Sequence, residues 1–176
     1  MPICSHRDQI EPILGQARTI AILGAHPDPV RPAFYVPDYL HRAGYEVIPV
    51  NATRTDLTLW NKQVRPGLRD LEVPIDIVDV FRRSEHLPAH LAELLDMTPL
   101  PGCVWFQLGV QNEEVAGALS DAGINVVQNR CTLADHKRWF SVQFKASHRA
   151  GLMAKGQQVA GALAELLAGR DVRLFQ

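Results

Sequence analysis

The chain has 176 residues, 47% hydrophobic and 21% charged, with 18 basic and 19 acidic side chains. That length suits one domain with a single sizeable core, and a net charge of −1 argues against nucleic-acid binding as its main task. Three cysteines (Cys4, Cys103, Cys131) without a C-x-x-C pair argue against a disulfide scaffold, and no apolar run approaches the ~20 residues of a membrane span. The opening stretch, Met1 to Asp8, lacks the apolar segment of a signal peptide, so a reducing, cytoplasmic setting is expected.

Ser5, with Asp8 three residues on, is expected to cap a first helix. Ile10, Ile13, Leu14 and Ala17 then follow helical spacing around Pro12. Thr19-Ile20-Ala21-Ile22-Leu23 reads as a strand buried on both faces. Phe34 to Ala43 reads as a short helix, disturbed by Pro37 and stopped by Gly44. Tyr45 to Val50 is a second strand with Pro49 near its end. Asn51 to Pro74 is a long ordered connection with a short helix at Leu68 to Leu71.

Ile75 to Phe81 is the third strand. Ser84 is expected to cap a helix whose Leu87, Leu91, Leu94 and Leu95 share a face. Cys103 to Leu108 is the fourth strand, and Ile124 to Gln128 the fifth. Between them lies a helix capped by Asn112, with Glu113 and Glu114 in its first turn and Gly123 at its end. Asp135 to Trp139 reads as a basic turn with an aromatic anchor, more a solvated face than a phosphate site. Val159, Leu163, Leu166 and Leu167 suggest a last helix ended by Gly169.

Regular strand–helix alternation argues for an α/β fold: a mainly parallel sheet of about five strands, right-handed crossovers and helices on both faces. Ligands of such sheets bind outside the carboxyl ends of the strands. Four of the five strand ends carry arginine: Arg31, Arg54, Arg82 with Arg83, and Arg130. Guanidinium forks match phosphate oxygens, so this edge suits a polyanion. The turn after the first strand, Gly24-Ala25-His26-Pro27-Asp28, has one glycine where a dinucleotide fingerprint has three. After the second strand stand Val50 and Asn51, where a NAD site usually has an acid. That favours a ligand with an extra ribose phosphate, NADP or coenzyme A.

Thr19 to Pro32, Tyr35-Val36-Pro37-Asp38-Tyr39-Leu40 and Gly44 to Asn51 resemble the small bacterial CoA-binding domain proteins. These are stand-alone relatives of the N-terminal domain of the succinyl-CoA synthetase α subunit. Ile75 to Arg82, Val104-Trp105-Phe106-Gln107-Leu108-Gly109-Val110 and Asn129-Arg130-Cys131 continue the match in order, over roughly Ile10 to Phe140. The resemblance implies a three-layer Rossmann-like fold that binds coenzyme A. It implies phosphate contacts from Gly24, Ala25, His26 and Arg31. Val50 and Asn51 would flank the adenosine, and Phe81, Arg82 and Arg83 would line the adenine and phosphate side. Gln107, Asn129 and Arg130 would close the far wall. His26 departs from the small hydroxyl residue common at its position, but a histidine can still donate to phosphate. The synthetase's phosphorylated histidine belongs to a second domain that this chain is too short to hold. Binding of CoA or an acyl-CoA without catalysis is therefore expected.

The expected organisation is a CoA-binding Rossmann-like domain over 1–140 and a helical C-terminal extension over 141–176, packed on the same domain. The expected partner is a small-molecule ligand, with no nucleic acid or membrane; a homodimer stays open. Cys131, beside the cation Arg130, invites a mixed disulfide with CoA, although a small packed side chain is the plainer reading. His86 and His90 have i, i+4 spacing but no accompanying H-E-x-x-H, so no metal site is assigned. Asp76 and Asp79 fall on opposite faces of their strand and make no acid–base pair. The competing functions are an NADP-dependent oxidoreductase and an interaction scaffold with a vestigial nucleotide site.

Overall fold

The computed structural model describes residues 3–140. The elements in chain order are β1 (Ile3–Cys4), α1 (Arg7–Gln16), β2 (Thr19–Leu23), α2 (Pro32–Arg42), β3 (Glu46–Val50), β4 (Thr58–Leu59), β5 (Lys62–Gln63), β6 (Ile77–Val80), α3 (Leu87–Leu95), β7 (Cys103–Phe106), α4 (Glu113–Asp121) and β8 (Asn125–Val127). A helical stretch over 132–140 follows. The expected 141–176 extension and the helix near Val159 lie outside the described residues. None of the described helices is long and apolar enough to cross a membrane.

Six strands form one sheet in the order β3-β2-β6-β7-β8-β1, and every pairing is parallel. Each crossover must traverse a face, so helices cover both sides. Ala21, Leu23, Val78, Val80, Val104 and Phe106 point to one face and pack with Leu87 and Leu94 of α3 and Val115 and Leu119 of α4. Alternation sends Ile20, Ile22, Asp79 and Trp105 to the other face. The buried Ile10 and Leu14 of α1 and Val36 and Leu40 of α2 stand outside the first cluster and belong to this second layer. The fold is α/β and Rossmann-like. Its parallel sheet has one strand more than the alternating pattern indicates, because the two residues of β1 are too short to carry a period. They pair only at the edge with Val126 and Val127.

Several local expectations shift. The first helix starts one residue late: His6 is its N-cap, and the Gln9 side-chain oxygen accepts from the Ser5 and His6 amides at 3.1 and 3.2 Å. Gln9 occupies the third helical position, from which a side chain can reach back; Asp8 does not. Helix α2 includes Pro37 without breaking. The carbonyl that proline deprives of a donor is that of Ala33, and the His26 amide donates to it at 3.3 Å. Ser84 does not cap an α-helix. A 3-10 turn over Ser84–His86 precedes α3, and the Leu87 amide donates to the Ser84 carbonyl. Pro88 has no amide for the α-helical bond to that carbonyl. The Ser84 hydroxyl instead accepts from the Gln111 amide at 3.0 Å.

The β4–β5 hairpin was not evident in the connection after β3. Its turn residues, Trp60 and Asn61, both take positive φ, 49° and 62°. That geometry usually calls for Asn-Gly, and tryptophan hides the signal. Asp135 to Trp139 is helical rather than a basic turn. Asp135 and His136 are buried; Arg130 and Tyr39 engage them. The Asn112 cap is as expected, with its Oδ1 accepting from the Val115 amide at 3.0 Å.

Candidate functional site

Chain order reverses between β2 and β6. The chain leaves β2 towards β3 on one side, while β6 lies on the other, so the loops after β2 and β6 part and open a crevice. The sequence fills this crevice in a particular way. Gly24 ends β2 at φ 97°, and a Cβ there would stand 2.8 Å from the Phe81 carbonyl oxygen and 3.3 Å from the Arg82 side chain. Only glycine lets the two loops approach so closely. The Gly24 and Ala25 amides both donate to the Val50 carbonyl, at 2.9 and 3.2 Å, and the Phe81 amide donates to the Leu23 carbonyl at 2.9 Å.

Two adjoining clefts open here and share Arg31, Ala33, Phe81, Arg82 and Arg83 in their walls. The smaller, about 310 Å³, adds Gly24, His26, Asn51 and His86. The larger, about 640 Å³, adds Tyr35, Val36, Gln107, Leu108, Val110 and Cys131, among others. Both lie in the usual size range of ligand sites.

The smaller cleft is the polar one. The Nε of Arg82 is buried and has no hydrogen-bond partner among the described residues. A buried guanidinium nitrogen without an acceptor is costly, and an anion in the cleft would relieve it. The Nδ1 of His26 accepts from the Asp28 amide at 3.0 Å. The ring's proton is therefore on Nε2. Desolvation, with the charges of Arg31 and Arg54, holds the His26 pKa below its ordinary value. A neutral imidazole with one free N–H remains, a donor that suits a phosphate oxygen.

The other expected site residues take different places. Ala25 and Val50 are fully buried and shape the turn through their backbones. The Asn51 amide nitrogen donates to the Ala25 carbonyl at 2.8 Å, and its oxygen accepts from the Thr53 amide and hydroxyl at 3.0 Å. Asn51 thus braces the loop as well as lining the cleft. Asn129, at φ 53°, accepts from the Gly109 amide at 2.7 Å. Arg130 forks onto Asp135, with N–O distances of 2.7 and 2.8 Å. Neither Asn129 nor Arg130 is in the wall of either cleft. Arg54 is likewise outside both walls, although its charge reaches His26. Cys131 is in the larger cleft, but the cation beside it in sequence is turned to Asp135.

Tyr35, Val36, Leu108 and Val110 line the larger cleft without having been expected there. The first two were legible as the first turn of the helix that follows the glycine turn. The others sit on the loop after β7, where apolar side chains carry no ligand signal of their own. A buried carboxylate beneath the cleft was equally unexpected. Asp79 is fully buried, and burial raises its pKa to about 7 against the hydrogen bonds from Gln107 and Thr132. Gln107 Nε2 is 2.8 and 3.0 Å from its two oxygens, and the Thr132 hydroxyl donates to it at 3.0 Å.

A doubly wound parallel sheet with guanidinium groups and a close-packed glycine turn at its switch point defines a Rossmann-like ligand-binding domain. Residues 18–137 match the CoA binding domain family, and the chain belongs to that family. It is 40% identical over 128 residues to the uncharacterized protein YneT of Bacillus subtilis (strain 168), covering 73% of this chain and 92% of that one. The structure of cell-free ID.343 from Thermus thermophilus superposes with a TM-score of 0.73 at 46% identity, covering 76% of this chain and 98% of that one. A hypothetical protein from Pyrococcus horikoshii OT3 gives a TM-score of 0.71 at 30% identity, covering 78% and 95%.

Proposed function

We propose that this protein binds coenzyme A or an acyl-CoA in the two adjoining clefts and performs no chemistry on it. The observation that carries this reading is the pairing of Gly24 with Arg82. A backbone stripped of Cβ lies against a buried guanidinium nitrogen that lacks an acceptor. A diphosphate would supply that acceptor, with Arg31, Arg83 and the His26 N–H as further donors. Family membership makes CoA the first candidate. NADP is the less favoured ligand, since the loop has one glycine and Asn51 is already engaged by Ala25 and Thr53. Cys4, Cys103 and Cys131 are in no disulfide, which suits a reducing, cytoplasmic setting.

A thermal-shift panel with CoA, acetyl-CoA, NADP and NAD tests the reading. A ligand at a hundred times its Kd adds about 2.7 kcal/mol, which is roughly 5–10 °C for a domain of this size at about 2–4 °C per kcal/mol. The expected result is a shift with CoA or acetyl-CoA and none with NADP. A shift with NADP alone would replace this reading with the oxidoreductase, and silence from all four with the scaffold.

A further inference from the structure

Six large hydrophobic side chains are exposed among the described residues, and three of them gather at the carboxyl edge: Val30 at 79%, Tyr35 at 46% and Leu108 at 70%. Tyr35 and Leu108 line the larger cleft, and Val30 precedes Arg31, which lines both. Single exposed hydrophobics are ordinary, but Tyr35 and Leu108 line one cleft together, where an apolar part of a ligand would cover both.

Leu108 is held there by its backbone. Gln107 to Val110 form a turn in which the Val110 amide donates to the Gln107 carbonyl at 2.8 Å. Gly109 takes φ 81° at the third position, as a type II turn requires. The Gly109 amide donates to Asn129 Oδ1 at 2.7 Å, and the Asn129 amide donates to the Val110 carbonyl at 3.1 Å. This brace accounts for Asn129 and keeps Leu108 at the open end of the cleft. Charge is distributed unevenly across the two clefts. Arg31, Arg82 and Arg83 stand on their shared wall, while Tyr35, Val36, Leu108 and Val110 line the larger cleft alone, together with Ser84, Glu85, Gln107 and Cys131. An anion docked at the shared wall could send the arm attached to it, in CoA the pantetheine with the thiol or acyl group at its end, into this cleft and against its apolar side chains.

We infer that the preferred ligand is an acyl-CoA thioester whose aliphatic chain packs against Tyr35, Leu108 and Val110, and that free CoA is the weaker ligand. This rests on the CoA reading above and assigns the ligand's class at the same site. Calorimetric titration with CoA, acetyl-CoA, hexanoyl-CoA and decanoyl-CoA, below their micelle concentrations, tests it. The expected result is a Kd that falls about two- to fourfold per added methylene while the chain still finds cleft wall. Leu108→Ser should weaken decanoyl-CoA by a larger factor than it weakens CoA. Binding of CoA with an affinity that ignores chain length, or falls with it, overturns this inference alone. Silence from CoA and every thioester overturns the underlying reading and this inference with it.

Discussion

The side-chain nitrogen of Gln107 lies within hydrogen-bonding distance of both carboxylate oxygens of Asp79, at 2.8 and 3.0 Å, and of the Thr132 hydroxyl at 2.7 Å. Gln107 also lines the larger cleft. A fully buried carboxylate thus sits one residue behind the cleft wall, tied to it and to the start of the helical stretch over 132–140.

This arrangement gives stability a definite pH dependence. Burial raises the Asp79 pKa from the ordinary carboxylate range to about 7. Between these values the folded protein holds a proton that the unfolded chain has released, so the contribution of Asp79 falls as pH rises from about 4 to 7. Above pH 7 it is flat. His136 acts in the opposite sense: burial lowers its pKa, so its contribution falls as pH drops through about 6.5. Urea midpoints across pH 4–8 should therefore differ in slope between the native protein and Asp79→Asn. The variant should lose the decline contributed by Asp79, on the order of a few kcal/mol across that range. Parallel curves would show that Asp79 does not titrate there.

Gly24→Ala should damage both fold and binding. The new Cβ would meet the Phe81 carbonyl at 2.8 Å in a backbone conformation with φ 97°. We expect a loss of more than about 1 kcal/mol in a denaturant titration, together with weaker CoA affinity. Gly123→Ala is the useful comparison: it also has positive φ, 89°, but a Cβ there would have no atom within 4 Å. It should lose stability through backbone strain and leave CoA affinity intact.

Two arginines that look alike in sequence should separate cleanly. Arg82→Ala removes a guanidinium with an unpartnered buried nitrogen, so stability should hold while affinity for CoA drops tenfold or more, as for a charged hydrogen bond of roughly 1.5–3 kcal/mol. Arg130→Ala leaves the buried Asp135 without its fork, and should cost about 1–3 kcal/mol of stability. Paired calorimetry and urea unfolding read both effects. A stability loss in Arg82→Ala equal to that in Arg130→Ala would contradict the assignment.

Cysteine labelling reports on the cleft without mutation. Cys4 and Cys103 are buried, and desolvation raises both thiol pKa values, that of Cys103 strongly. Cys131 is partly exposed in the larger cleft. Iodoacetamide followed by peptide mass spectrometry should modify Cys131 first, and saturating acetyl-CoA, which has no free thiol to consume the reagent, should slow that modification. Equal rates with and without acetyl-CoA would place the ligand elsewhere.

Local signals carried much of the architecture. The unbroken apolar run from Thr19 to Leu23, the Asn112 cap and the helix stop at Gly123 each depend on a few neighbouring residues, and each is found where the sequence puts it. Alternating strands and helices dictate a parallel sheet because a parallel return needs a crossover. That brings Gly24, Arg31, Arg82 and Gln107 to the same sheet edge. Tertiary contact alone decided what each polar side chain does there. Arg82 and Arg130 both follow strands, but of the two only Arg130 meets an acid at hydrogen-bonding distance among the described residues, because the chain turns into a helix that presents Asp135. Asp79 reads as one polar residue in an apolar strand. Its burial follows from the layers above and below it, and its partners lie 28 and 53 residues away. Periodicity determines which way a side chain points; only packing determines what it meets.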